Sequence, residues 1–351
     1  MKLFSQLLLG LTIVCLLIWQ LPWCYNFLTA RSTKAPFTLY SSVIGDFAMM
    51  TPSGDKGMLR SDLSGRTYTQ AQFDSILPMF YFRQLMSDER FPDTLNGVPV
   101  TPRMAQMENF NFRVVPSDIN APHIGLYPLL EGMSGRVDLQ MPDDVFRITG
   151  KGIEFIRMAS NTVDEEKSRR FTEAMEKKGF HFPATEIAGN PTTRKDEGYL
   201  LLDADRRLFH LKQMKGRPYV RSIELPDGIQ LKHVFVTEFK NRKTLAFMTD
   251  ADRSFYVLRN KTYEVVKVGI PSFDPEKEAL AVFGNMFDWT LRVTRPEVEV
   301  YYAVNADDYS LIKSMELPAE ELSAAEKIGK YVFPLRLSFT SGTDKYVIPR
   351  F

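Results

Sequence analysis

The longest apolar run in the chain stands at its beginning. From Leu7 to Tyr25, nineteen residues pass without a charged side chain. As a helix they would extend about 28 Å, close to the hydrocarbon thickness of a bilayer. Trp19, Trp23 and Tyr25 gather at one end of the run, where amphipathic rings favour the headgroup level. Pro22 stands near that end, where a broken turn can reach water. A cleaved signal peptide wants a small side chain at the exit, and Leu28 fills that slot; a lipoprotein signal wants one before its cysteine, yet Val14 and Trp23 precede Cys15 and Cys24. The pattern predicts an uncleaved transmembrane anchor over residues 1–30.

Beyond Pro36 the pattern alternates between short β runs and helical insertions. Phe73, Ile76, Leu77, Phe80 and Leu85 recur at helical spacing and predict a helix over Gln70–Asp88. Thr69 and Gln72 would form its capping box, and Pro78 would kink or split it. Residues 91–160 are rich in Pro and Gly, with short apolar runs at Phe110–Val115, Arg136–Gln140 and Ile153–Met158 that read as strands. A second helix is predicted at Val163–Lys178, capped by Asn161 or Thr162 and stopped at Gly179; a third at Ala319–Lys327 is stopped at Gly329.

The last 155 residues are the most regular. Gly198–Leu211 resembles Thr244–Leu258, with Asp203-Ala204-Asp205-Arg206 matching Asp250-Ala251-Asp252-Arg253 at an offset of 47, and Val304–Pro318 is a looser third copy. The aspartates suit tight turns, because their side chains bond nearby amides. Tyr219–Pro226 and Tyr263–Pro271 close the two better copies. Units of 40–50 residues with about four strands each suggest a propeller-like array, in which Phe47–Tyr68 and Tyr331–Ile348 would meet to close the ring. A plain meander or sandwich is the fallback. The expected architecture is mainly β with helical insertions (α+β): strands and helices over 36–190, and a repeat-like antiparallel region over 191–351 that joins 36–70.

Composition narrows the function less than the fold. The chain has 44 basic and 43 acidic residues, so it carries no electrostatic footprint for nucleic acid. Cys15 and Cys24 are its two cysteines; about 13 Å apart along a helix and on opposite faces, they cannot bridge each other. The soluble part has no thiol, which excludes cysteine nucleophiles and thiolate zinc sites. None of His123, His181, His210 and His233 belongs to a metal-ligand motif. Asp203, Asp205, Asp250 and Asp252 could be read as calcium ligands, but the following Arg206 and Arg253 favour the turn reading. Asp143 and Asp144 offer paired acids whose use would depend on their burial. No cofactor is expected. The most unusual polar stretch runs from Gly189 to Gly198, and Asn190, Thr192, Thr193, Arg194 and Lys195 make it the candidate binding loop.

Several stretches together resemble a Bacteroidota family built on a domain of unknown function. They are Tyr127–Glu131, Met141–Ile148, Gly189–Lys195, Asp196–Tyr199 and Leu208–Lys212, with Leu77-Pro78, Tyr81 and Arg83-Gln84-Leu85. The resemblance implies a single-anchor protein associated with ATP-binding-cassette transporter operons, and it supplies no catalytic residues. The resulting expectation is a non-enzymatic accessory subunit in the inner membrane, contacting permease or ATPase subunits, with its soluble domain outside the cytoplasm. Charge counting leaves orientation near a tie, with Lys2 and the amino terminus before the run and Arg31 and Lys34 after it. The alternatives are a tethered sensor or binding module for a small molecule or glycan, and a hydrolase whose carboxylates meet only in the fold.

Overall fold

A computed structural model describes residues 2–29, 36–53, 57–121, 123–132, 139–191, 197–318 and 323–333, together with the backbone of 336–339 and 347–350. The apolar run lies in one helix, α1 (Lys2–Thr29). Pro22 does not break it: a proline forfeits one backbone bond, and the helix continues to Thr29, whose Oγ1 donates to the Tyr25 carbonyl. The helix is long and apolar enough to cross a membrane as an anchor or to serve as a signal sequence.

The chain then forms antiparallel strands. β1 (Phe37–Ser41), β2 (Asp46–Pro52) and β3 (Met58–Asp62) make the first sheet. There follow α2 (Gln70–Ile76), α3 (Phe82–Ser87), the short pair β4 (Thr94–Leu95) and β5 (Val98–Pro99), and α4 (Pro102–Glu108). Next come β6 (Phe110–Val114) and the single turn α5 (Pro116–Ile119). The second sheet, β7 (Asp144–Thr149), β8 (Gly152–Arg157) and β9 (Thr162–Val163), is backed by α6 (Glu165–Lys177). A third comprises β10 (Glu186–Gly189), β11 (Tyr199–Leu202), β12 (Leu208–Met214) and β13 (Arg217–Ile223); a fourth comprises β14 (Leu231–Val236), β15 (Thr244–Asp250), β16 (Phe255–Arg259) and β17 (Val265–Lys267). In the fifth, β18 (Ala279–Gly284), β19 (Asp288–Thr294), β20 (Val298–Asn305) and β21 (Leu311–Pro318) are joined by β6 on the β18 edge. The chain closes with α7 (Ala324–Val332) and the hairpin β22 (Arg336–Phe339)–β23 (Val347–Arg350).

The sheets pack face to face. Phe146 and Phe155 of the second meet Tyr199, Leu201 and Phe209 of the third. The opposite face of the third, Leu200, Leu202 and Leu208, packs on Ala246, Met248 and Leu258 of the fourth. Phe247, Phe255 and Val257 then pack on Trp289, Leu291 and Val300 of the fifth, whose other face carries Tyr301 and Ala303 against Tyr40 and Phe47 of the first. A strand covered on both faces reads as a continuous apolar run rather than an alternating one, and every residue of β11 and β15 is buried.

One turn recurs in three sheets. The amides of Asp62, Asp203 and Asp250 donate to the carbonyls of Arg66, Arg207 and Ser254, and those residues' amides donate back to the aspartate Oδ1 atoms at 3.0, 2.9 and 2.8 Å. Gly65, Arg206 and Arg253 occupy the left-handed position of each turn. The looser copy is one residue longer, with Asn305 in the aspartate's place and Tyr309 left-handed.

Several expected boundaries move. Pro78 splits the first helix into α2 and α3, and the Thr69–Gln72 capping box is present. α6 starts later than expected, because Val163 pairs with Ile156 and Asp164, rather than Asn161 or Thr162, caps the Lys167 amide at 3.0 Å. The strand expected at Arg136–Gln140 falls largely outside the described residues, and Leu139 and Gln140 are not in a strand. The third helix is displaced to Ala324–Val332 with Ser323 as cap, and Gly329 lies inside it. No pairing joins Phe47–Tyr68 to the C-terminal residues among those described: Tyr331 is helical, and β22 pairs with β23.

A cavity between two sheets as candidate functional site

Where the first sheet meets the fifth, the contact is incomplete and leaves a cavity of about 300 Å³. Strand alternation supplies its polar wall: Trp289 and Leu291 turn into the core shared with the fourth sheet, so Asp288 and Thr290 face the opposite way. The Thr290 hydroxyl accepts the Tyr40 amide at 2.8 Å and ties β19 to β1. The Ser41 hydroxyl donates to the Ile76 carbonyl and ties the end of α2 to β1 beside the cavity. Leu77, Pro78, Met79 and Phe80, freed from helical geometry at the α2–α3 break, form the apolar wall with Phe283. Gly284 is required here, since a Cβ would collide with the ring of Phe110.

Asp288 dominates the chemistry. It is 3% exposed, and no Lys, Arg or His lies among the described residues that line the cavity. Burial pushes its carboxyl up to about 7, against hydrogen bonds from Asn285 and Ser42 that favour the charged form. Asn285 holds it in place: its Nδ2 donates to Asp288 Oδ1 at 3.1 Å, while its Oδ1 accepts the amides of Phe287 and Asp288. Tyr40, on the same wall, has its hydroxyl pKa raised by burial and then by the Asp288 charge. Asn109 contributes a buried Oδ1 without a hydrogen-bond partner among the described residues. Near neutrality Asp288 can therefore accept or donate a hydrogen bond, or become the counter-ion of an entering cation.

The residues expected from sequence lie elsewhere. Asn190 borders a larger cleft of about 750 Å³ between β6, β10 and β14, which also holds His123, Tyr127, Glu186 and His233. Thr192, Thr193, Arg194 and Lys195 fall outside the described residues. Asp144 is paired with Lys167 at 2.6 Å. His233 Nε2 stands 3.3 Å from Glu276. His210 is buried between the Glu197 carbonyl and the Tyr263 hydroxyl, and burial lowers its pKa to about 4, leaving it neutral.

His181, Asp203 and Asp205 converge closely enough to share a metal ion. Asp203, however, is fully buried and already accepts five hydrogen bonds, two of them from the Arg207 guanidinium. The guanidinium supplies the positive charge a metal would bring, so this group serves the turn. Asp250 likewise accepts from the Ser254 amide and the Tyr256 hydroxyl.

Sequence reasoning missed Asp288, Ser42, Thr290 and Asn109. One signal was present: Asp288 is a lone acid in the apolar run Val282–Trp289, three residues after an asparagine able to bond its amide.

A search of curated proteins returned no match. Among solved structures the chain is weakly similar to the following three, each superposing loosely. PorZ, a surface component of the type-IX secretion system of Porphyromonas gingivalis, is 12% identical, with 84% of this chain and 33% of that one covered and a TM-score of 0.25. The WD40 domain of SCAP from fission yeast is 9% identical over 92% and 89% of the two chains, with a TM-score of 0.32. The dihydro-heme d1 dehydrogenase NirN is 11% identical over 82% and 73%, with a TM-score of 0.27. Residues 37–304, most of the chain, match the family described as a domain of unknown function, DUF4857, and the protein belongs to that family.

Proposed function

We propose that the chain is a membrane-tethered, non-enzymatic binding module that takes a small molecule into the cavity between β1 and β19. The observation that carries this reading is Asp288, a buried acid on the polar wall of a cavity whose other wall is apolar and whose described lining residues include no basic side chain. Buried polar groups are ordinarily satisfied, so a cavity holding this acid and the unpartnered Asn109 Oδ1 is suited to a ligand with one polar end and an apolar body. Its volume is at the small end of the range for ligand sites, roughly 300–1,000 Å³. That size favours a small molecule over an extended glycan. Uncleaved α1 holds the module on the outer face of the inner membrane, and the row of stacked sheets is a propeller-like scaffold of repeated units.

Ligand-observed NMR against a library of small amines, alcohols and amides tests the proposal. Ligands that bind the wild type should bind Ser42→Phe, which puts a bulky ring at a lining position, at least tenfold more weakly. Amines should gain affinity as pH rises through 7 and Asp288 ionises. Absence of binding, or binding indifferent to Ser42→Phe, would overturn the reading.

A second reading makes the module an accessory subunit of an ATP-binding-cassette transport system. It is supported by α1, most of whose apolar side chains are left uncovered by the other described residues and are open to permease helices as well as to lipid. The Bacteroidota resemblance points the same way. Crosslinking in the native membrane followed by mass spectrometry should recover transporter subunits in fixed ratio, and recovery of the chain alone would count against it.

A further inference from the structure

We infer that α7 is an interfacial helix whose apolar side rests in the headgroup–acyl boundary of the bilayer crossed by α1. The inference rests on the proposed uncleaved anchor.

α7 has three sides. Ala325 and Gly329, one turn apart, and the capping residue Phe333 face the end of α1. The Tyr25 hydroxyl donates to the Ala325 carbonyl at 2.8 Å, and the Tyr25 and Phe333 rings lie 5.5 Å apart. A Cβ at Gly329 would meet the Tyr25 ring at 2.7 Å. Glycine is thus present inside this helix to admit a tyrosine of the anchor, which is why its usual role as a helix stop failed as a guide. Ala324, Ile328, Tyr331 and Val332 share the adjacent side by their spacing of three and four residues. Glu326, Lys327 and Lys330 occupy the third side and are exposed.

Among the described residues nothing covers the apolar side: Ile328, Tyr331 and Val332 are 54%, 88% and 55% exposed. Its position identifies what covers it. Tyr25, to which α7 is docked, belongs to the aromatic group at the end of the apolar run, and Phe27 and Leu28 beyond it are 70% and 81% exposed. α7 therefore lies at the depth where the bilayer surface must be if α1 spans it. An amphipathic helix with apolar and basic sides at that depth buries the former in the boundary and directs the latter to anionic headgroups.

The test uses the full chain with Cys15→Ser and Cys24→Ser, in nanodiscs of phosphatidylethanolamine and phosphatidylglycerol. Nitroxide labels are placed one at a time through Ile328→Cys, Val332→Cys, Lys327→Cys and, within the anchor, Leu17→Cys. At 328, 332 and 17, oxygen should relax the label more than a water-soluble nickel chelate, and at 327 the order should reverse. Gly329→Leu should return the 328 label to the water-exposed pattern. Labels at 328 and 332 that behave as at 327, with 17 in lipid, would overturn the inference while leaving the anchor standing. A 328 label unaffected by Gly329→Leu would overturn docking by Tyr25. A chain that reaches the membrane without residue 17 would overturn the anchor reading first.

Discussion

Asp288→Asn is expected to remove a pH dependence of stability worth about 4 kcal/mol between pH 4 and pH 7. The folded carboxyl titrates at about 7, against an ordinary value of 3.8. Each unit of difference corresponds to about 1.4 kcal/mol. Between those pH values the folded protein retains a proton that the unfolded chain releases, so this contribution is complete below pH 4 and falls as pH rises. It is lost by about pH 7 and level beyond. His210 acts in the opposite direction, because its depressed pKa weakens the fold as pH falls. Taking the wild type minus Asp288→Asn at each pH cancels that term. Denaturant unfolding of the detergent-solubilised chain at pH 4.5, 6 and 8 would show the difference moving toward the asparagine variant as pH rises. A constant difference would mean that Asp288 is hydrated or paired in solution.

Asp203→Ala is expected to cost about 3 kcal/mol or more. The lost carboxylate leaves the amides of His181, Asp205 and Arg207 without this acceptor, and the Arg207 guanidinium loses two hydrogen bonds while keeping the Gly179 carbonyl and the nearby Asp205. Removing one member of a buried charge pair typically costs about 3–5 kcal/mol; here Arg207 is partly exposed and can rehydrate, which places the effect near the lower end. Asp62→Ala, in the corresponding turn of an outer sheet and without an arginine partner, should cost about 1–2 kcal/mol. Equal losses at the two positions in thermal or denaturant unfolding would contradict this ordering.

How much of this was readable in the sequence depended on whether the determining contacts were local. The turns at Asp203 and Asp250 were legible because the aspartate, the turn amide that donates back to its Oδ1 and the left-handed arginine lie within five residues. The apolar strands around them were legible because both faces are covered. The start of α6 was not, since β9 exists only through pairing with β8. Gly329 misled because its reason is a tyrosine some 300 residues away. The cavity was invisible for the same cause: its walls come from β1, the α2–α3 break, β6 and β19, and a lone acid in an apolar run does not announce what it will face. Asn190, prominent in the sequence, borders a different cleft.

The central claim, that the cavity between β1 and β19 holds a small molecule, is tested most directly by what the protein carries. Wild-type chain and Ser42→Phe would be purified from the native membrane in mild detergent, denatured, and the released molecules identified by mass spectrometry. The account predicts a compound of low mass released in near-stoichiometric amount from the wild type and depleted at least tenfold from the Ser42→Phe variant. Identical profiles from the two proteins would contradict it.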